Sequence, residues 1–139
     1  HGNEPSHHIA YLYAYTSKPW QGHARIRQIY RQFYTDAPSG IVGNDDCGQM
    51  SAWYVLSTFG FYPVTPARGE FVLGAPQVRS AELYLPGGKT LRIVAEGFGE
   101  NAPYARAAIL GGKPLDPTAV SYRQLAGGGV LRFSMSPMP

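Results

Sequence analysis

Apolar residues recur at helical spacing through the first sixty positions of the chain. This spacing predicts three helices, over residues 5–17, 20–34 and about 47–59. Their apolar stripes are Ile9, Leu12 and Tyr13, then Ile26, Ile29, Tyr30 and Phe33, then Met50, Trp53 and Tyr54. Pro19 predicts the end of the first helix, because the residue before a proline is disfavoured in the helical region. Gly60 is placed to end the third helix.

From residue 67 onward the pattern changes to short β runs separated by Gly and Pro. The predicted strands are 70–73, 80–85, 90–95, 105–110 and 130–134. Residues 86–89 and the pair Gly111-Gly112 look like hairpin loops, so the strands are expected to pair antiparallel. The fold class is therefore α+β, with a helical segment over 1–66 and a small antiparallel β module over 67–139. The last four residues, 136–139, are expected to fray.

Two turns rich in Gly, Asn and acidic residues precede predicted helices. They are His1–His8 and Gly43–Tyr54, about forty residues apart. A helix N-terminus carries unpaired N–H groups and the positive end of the helix dipole, so it favours an ionised carboxylate. Joined by amphipathic helices, the two turns can face one pocket. We expect the catalytic or binding residues of the chain to lie in that pocket.

Composition and charge exclude several classes of function. The chain has 139 residues, 44% of them hydrophobic and 15% charged, which is typical of a globular domain. Its net charge of +3 includes no long basic run, so no nucleic-acid partner is expected. No apolar run approaches the length of a membrane span, so no membrane partner is expected either. The single Cys47 rules out an internal disulfide.

Several contiguous motifs resemble the C-terminal part of the glycoside hydrolase family 92 α-mannosidases. They are Gly2–Tyr13, Lys18–Trp20, Tyr34–Pro38, Gly43–Tyr54 and Gly60–Val64. The likeness is specific as far as about residue 66. Beyond it the resemblance is one of architecture only, in strands, hairpins and Gly-Gly-Lys-Pro turns.

The resemblance implies a fold and an activity. The fold that the resemblance implies is an (α/α)6 barrel joined to β-sandwich modules. Residues 1–66 would then be a segment of the catalytic barrel, and residues 67–139 a β-sandwich-like module. The implied activity is calcium-dependent, exo-acting, inverting hydrolysis of terminal α-mannosides, by a periplasmic or secreted bacterial protein. The implied partners are a mannose-containing glycan and the remainder of a longer parent chain. The family's general acid is a glutamate upstream of residue 1, so this piece alone is expected to be inactive.

The resemblance also assigns roles to two acidic pairs. Asp46, with Asp45 beside it, matches the motif that supplies the general base. Asn3 and Glu4 match the turn that helps to hold Ca²⁺, a cation that prefers oxygen ligands. From the residues alone, both pairs are better interpreted as ordinary helix caps with an acidic first turn.

Three further side chains are candidates for substrate binding. Gln49 lies three residues after Asp46 and could bind the sugar, orient the base or act as a cap. His1 would line the leaving-group side. His7 could lie in the pocket wall or in the core. Its neighbour His8 points about 100° away on a helix, so the two do not predict a zinc site.

Two other classes of function stay open from the sequence. One is a non-catalytic carbohydrate- or calcium-binding module. The other is a barrel enzyme of the glycoside phosphorylase type, which would need a basic phosphate pocket. No cluster of Lys and Arg lies near either acidic turn, which disfavours the phosphorylase.

Overall fold

The structure, a computed structural model, describes all residues from His1 to Pro139 and confirms a mixed α and β architecture. Two helices dominate the first half: α1 spans Trp20–Gln32 and α2 spans Gln49–Phe59. A short helix, α3, spans Tyr122–Ala126, and a capping box at Ser121 stabilises its N-terminus. None of the three helices has the length and apolar character that crossing a bilayer requires.

The predicted helix over 5–17 is wrong in kind. The chain forms two 3-10 segments there, Glu4–Ser6 and Ile9–Tyr15. Over so short a stretch, an i, i+3, i+4 pattern cannot separate three residues per turn from 3.6. Close packing against α1 explains why a tight coil fits: a Cβ on Gly22 would lie 2.8 Å from the Ala10 carbonyl oxygen.

Eight strands form two sheets. In chain order they are β1 Phe61–Tyr62, β2 Glu70–Leu73, β3 Ser80–Leu85, β4 Lys89–Glu96, β5 Tyr104–Leu110, β6 Lys113–Pro114, β7 Val120–Ser121 and β8 Gly129–Ser136. The small sheet has the order β1-β2-β7, and the large one has the order β3-β4-β8-β5-β6.

The expectation of a purely antiparallel module is wrong at one pairing. Strands β4 and β8 are parallel, with Ile93 opposite Leu131, whereas all other pairings are antiparallel. The hairpin signals in the sequence report only on strands joined by a short turn. The β4–β8 pairing follows a long excursion through β5, β6, β7 and α3, which leaves no local signature.

The small sheet lies between two cores. Because side chains alternate along a strand, Tyr62 and Val72 join a cluster with Trp53 of α2, while Phe61 and Leu73 face the large sheet. The second cluster includes fully buried residues from two strands of the large sheet, β4 and β8: Leu91, Ile93, Leu131 and Phe133. The pairing of β1 with β2 therefore joins residues on both sides of the predicted boundary at 66/67. The division of the chain into two domains at that boundary stays a prediction.

Two side chains of α1 also join the helices to the large sheet. The Arg27 guanidinium donates to the carbonyl oxygens of Gly99, at 2.9 Å, and Glu100, at 3.2 Å. The backbone N–H of Ala105, in β5, donates to His23 Nδ1 at 3.2 Å. Helix α1 is therefore held on β5 and on the loop that precedes it by hydrogen bonds as well as by apolar packing.

Candidate active site

The two acidic turns lie side by side. A Cβ added to Gly43 would lie 2.7 Å from the Gly2 carbonyl oxygen, so the backbones touch where only glycine fits. Deeper in, Trp53 Nε1–H donates to the His7 carbonyl oxygen at 2.9 Å, and His7 Nε2 lies 3.1 Å from Met50 Sδ. Both contacts tie the first turn to α2, so the fold brings the two stretches into one region.

The two adjacent aspartates do different jobs. Asp45 Oδ1 accepts hydrogen bonds from the backbone N–H of Ser51 at 2.9 Å and from its hydroxyl at 3.0 Å. Asp45 thus caps the first turn of α2 from a position upstream of the residue that begins it. The Asp46 side chain is exposed and makes no hydrogen bond within the chain. It is the carboxylate left free to bind water or substrate.

The backbone at Asp46 is held in an unusual conformation. Asp46 has φ of 48° and Cys47 has φ of 59°, and Gly48 follows at 86°. The left-handed region costs a non-glycine residue about 1–2 kcal/mol. Two consecutive residues of this kind are the sort of strain that folds retain where a side chain must point in a required direction.

The Asn3–Glu4 turn offers oxygen atoms but no complete metal cage. Asn3 Oδ1 accepts from the Glu4 backbone N–H at 3.1 Å and caps the first 3-10 segment. The Glu4 carboxylate is exposed and forms no ion pair or hydrogen bond. No group of three or more His, Cys, Asp or Glu side chains comes together anywhere in the chain. Glu4 suits a hard cation, but Ca²⁺ would need most of its six to eight oxygens from elsewhere.

His7 is buried between the turns. Burial lowers the pKa of its imidazole, while the carboxylates of Glu4 and Asp46 act in the opposite direction. Since both carboxylates influence the same ring, Glu4 and Asp46 lie in one electrostatic neighbourhood. Met50 Sδ can only accept, so His7 donates from Nε2–H, and its buried Nδ1 has no partner in the chain.

The other two predicted substrate contacts have partners inside the protein. His1 Nε2 lies 2.9 Å from the Tyr34 hydroxyl, and its Nδ1 is enclosed without a partner. The Gln49 amide donates to the Tyr62 hydroxyl at 3.2 Å, which leaves its Oε1 without a partner in the chain. Gln49 is the first residue of α2, directly beside the strained turn.

Sequence reasoning missed Tyr34 as a site residue. Its ring stacks on Trp53 with centroids 5.7 Å apart, and its hydroxyl contacts both turns. It lies within the Tyr34–Pro38 motif, but nothing in the spacing of that motif indicates a long-range contact. Tyr34 also borders a cleft of about 610 Å³ between the 34–41 loop and α2, which includes neither Asp46 nor Glu4.

Comparisons with known proteins point to one family. The family model of the glycosyl hydrolase family 92 catalytic domain matches residues 1–137. A family GH92 α-mannosidase from Bacteroides thetaiotaomicron, solved with mannoimidazole, superposes with a TM-score of 0.93 at 39% identity, covering 99% of this chain and 18% of that one. An inverting mannosidase of the same family from that organism superposes with a TM-score of 0.90 at 37% identity, covering 100% of this chain and 19% of that one.

A curated relative agrees with these structures. An uncharacterized secreted glycosidase of Arthroderma benhamiae is 28% identical over 138 residues, which is 96% of this chain and 18% of the relative. The chain therefore spans about a fifth of the length of the proteins it matches. Because the family model covers nearly its whole length, the chain belongs to the glycosyl hydrolase family 92 catalytic domain.

Proposed function

We propose that the intact protein is a calcium-dependent, exo-acting, inverting α-mannosidase, and that residues 1–66 are a segment of its (α/α)6 barrel. The observation that carries this proposal is the division of labour between Asp45 and Asp46. The Asp45 carboxylate accepts two hydrogen bonds from Ser51 of α2, whereas the Asp46 carboxylate is exposed, unpaired and held on a strained backbone. The solved relatives include an inverting mannosidase, which supports the same chemistry.

In this mechanism Asp46 is the general base. It accepts a proton from a water molecule as that water attacks the anomeric carbon, and the glycosidic oxygen leaves from the opposite face of the sugar. Asp45 fixes the turn through Ser51 and so orients Asp46. Gln49, His1 and His7 are proposed to line the sugar pocket. The general acid is assigned to a glutamate outside residues 1–139, so the chain by itself is proposed to be inactive.

Calcium is proposed to bind at the Asn3–Glu4 turn, with other oxygens from the sugar, water and the rest of the protein. When held there by Asn3 and Glu4, Ca²⁺ would supply positive charge beside the hydroxyl groups of the bound mannose. The exposed, unpaired carboxylate of Glu4 and the hard-oxygen character of the turn support this role.

The substrate is proposed to be a mannose-bearing glycan outside the cytoplasm. Two solved structures that match this chain are mannosidases, and one relative is called a secreted glycosidase. We therefore propose a periplasmic or secreted protein, in which the remainder of the parent chain completes the pocket around the two turns.

The stereochemistry of the first product tests the mechanism. A single displacement by water activated at Asp46 should release β-mannose from an α-mannoside. Proton NMR of the anomeric signals, recorded on the intact protein before mutarotation, measures this directly. Release of α-mannose first would indicate a covalent intermediate and would remove the base role from Asp46.

Removing the charge of Glu4 should weaken calcium binding. In the intact protein, Glu4→Gln is expected to raise the calcium concentration needed for half-maximal activity by about tenfold or more, because one charged ligand is lost. Calorimetric titration with calcium chloride gives the affinity independently of activity. The matched control is Glu100→Gln, another exposed glutamate. Equal calcium affinity in the wild type and Glu4→Gln would place the metal elsewhere.

A further inference from the structure

The Tyr34 hydroxyl is the atom that joins the two turns. It donates to the Met50 carbonyl oxygen, in the first turn of α2, at 3.1 Å. It also lies 2.9 Å from His1 Nε2, at the start of the first turn. Tyr34 is held from both sides, by stacking on Trp53 and by a backbone bridge to Ile41. The hydroxyl therefore has little freedom to leave either partner.

Counting protons fixes the direction of both bonds. A phenol has one proton to donate, and the Met50 carbonyl can only accept, so the Tyr34 proton goes to Met50. The Tyr34 oxygen must then accept from His1 Nε2–H, which selects one imidazole tautomer. Burial raises the pKa of Tyr34, with Tyr62 and Asp45 contributing, so the phenol stays protonated and this pattern holds at neutral pH.

Both ends of this chain of bonds reach candidate catalytic groups. Met50 is the residue whose backbone N–H donates to the Asp45 carbonyl oxygen at 3.2 Å, so Tyr34 supports the strained turn through the first turn of α2. His1 continues directly into the Gly2-Asn3-Glu4 stretch. Two hydrogen bonds to one hydroxyl oxygen, carried on a rigid ring, set the separation of the two stretches.

We propose that Tyr34 is a positioning residue: its hydroxyl fixes the turn that carries Asp46 against the turn that carries Asn3 and Glu4. This inference rests on the proposed function for its catalytic consequence, since a base must be aimed at a water beside the bound sugar. It does not depend on that function for its geometry. Tyr34 itself need not touch the substrate.

The decisive variant is Tyr34→Phe in the intact protein, because phenylalanine keeps the stack on Trp53 and removes only the hydroxyl. The matched control is Tyr30→Phe. Tyr30 also stacks on Tyr54 and is also partly buried, but its hydroxyl bonds to Thr58 Oγ1, at the far end of α2. Each variant thus removes one partly buried hydroxyl from the same aromatic cluster.

Two measurements separate positioning from stability. Hydrogen–deuterium exchange should become faster in peptides covering residues 44–51 in Tyr34→Phe, but not in Tyr30→Phe. For turnover of an aryl α-mannoside, Tyr34→Phe should lower kcat by about tenfold to a hundredfold and leave KM nearly unchanged. This is the result expected when a catalytic group is held in the wrong orientation. Tyr30→Phe should keep the wild-type kcat.

Unchanged exchange in residues 44–51 of Tyr34→Phe would overturn the inference, whatever the enzyme's activity. So would faster exchange with wild-type kcat, because the hydroxyl would then be only structural. If the wild-type protein hydrolysed no α-mannoside, the proposed function would fall, while the exchange result would still decide whether Tyr34 couples the two turns.

Discussion

Replacing Asp46 by asparagine should nearly abolish turnover in the intact protein. Asparagine keeps the shape and exposure of the side chain but cannot accept a proton, so the loss should be that of general base catalysis, about 10²–10⁴-fold in kcat. The fold should persist, because the Asp46 side chain makes no contact that another group needs. Steady-state kinetics with an aryl α-mannoside, together with a thermal unfolding curve, measures both.

Two comparison variants make this result specific. Asp116→Asn removes an exposed aspartate charge far along the chain and should leave kcat unchanged. Asp45→Asn should have an intermediate effect, because an amide oxygen can still accept from Ser51 but holds α2 with less charge. Activity of Asp46→Asn within about tenfold of wild type, some 1.4 kcal/mol of barrier, would show that another group is the base.

The sequence identified the acidic turns because their chemistry is local. Asn, Gly and acidic residues before a helical stripe are readable without any tertiary contact. The resemblance favours Asp46 as the base, but no local pattern shows which aspartate of the pair caps α2. That choice depends on the left-handed backbone at Asp46 and Cys47, which places Asp45 rather than Asp46 on the Ser51 amide. No sequence rule predicts left-handed geometry at a Cys.

Contacts between residues far apart in sequence could not be predicted for a similar reason. The strand periods at 70–73 and 80–85 were found at their observed bounds, because alternation and turn residues are local. The parallel β4–β8 pairing and the two-residue strands β1 and β7 have no such signal. Tyr34 belongs to the same class, because its partners lie 33 and 16 residues away in sequence.

Acid should loosen the attachment of α1 to the large sheet through His23. Burial lowers the pKa of His23 to about 4, from 6.5. His23 Nδ1 accepts from the Ala105 N–H, so it must be unprotonated in the folded chain. Between pH 6.5 and 4 the unfolded chain therefore binds more protons than the folded one, and stability falls as the pH falls. Below about pH 4 both states are protonated and this contribution levels off.

The expected loss is on the order of 2 kcal/mol between pH 7 and pH 4.5. Urea unfolding of the chain at both pH values, followed by tryptophan fluorescence, measures it. The matched control is His23→Asn, whose Oδ1 can accept from the same amide near the position of Nδ1 but does not titrate. The smaller side chain is expected to lower the stability of that variant at pH 7, yet the part of the pH dependence owed to His23 should vanish. If His23→Asn lost as much stability in acid as the wild type, the proton would be binding at another group and the His23 contact would not be the acid-sensitive one.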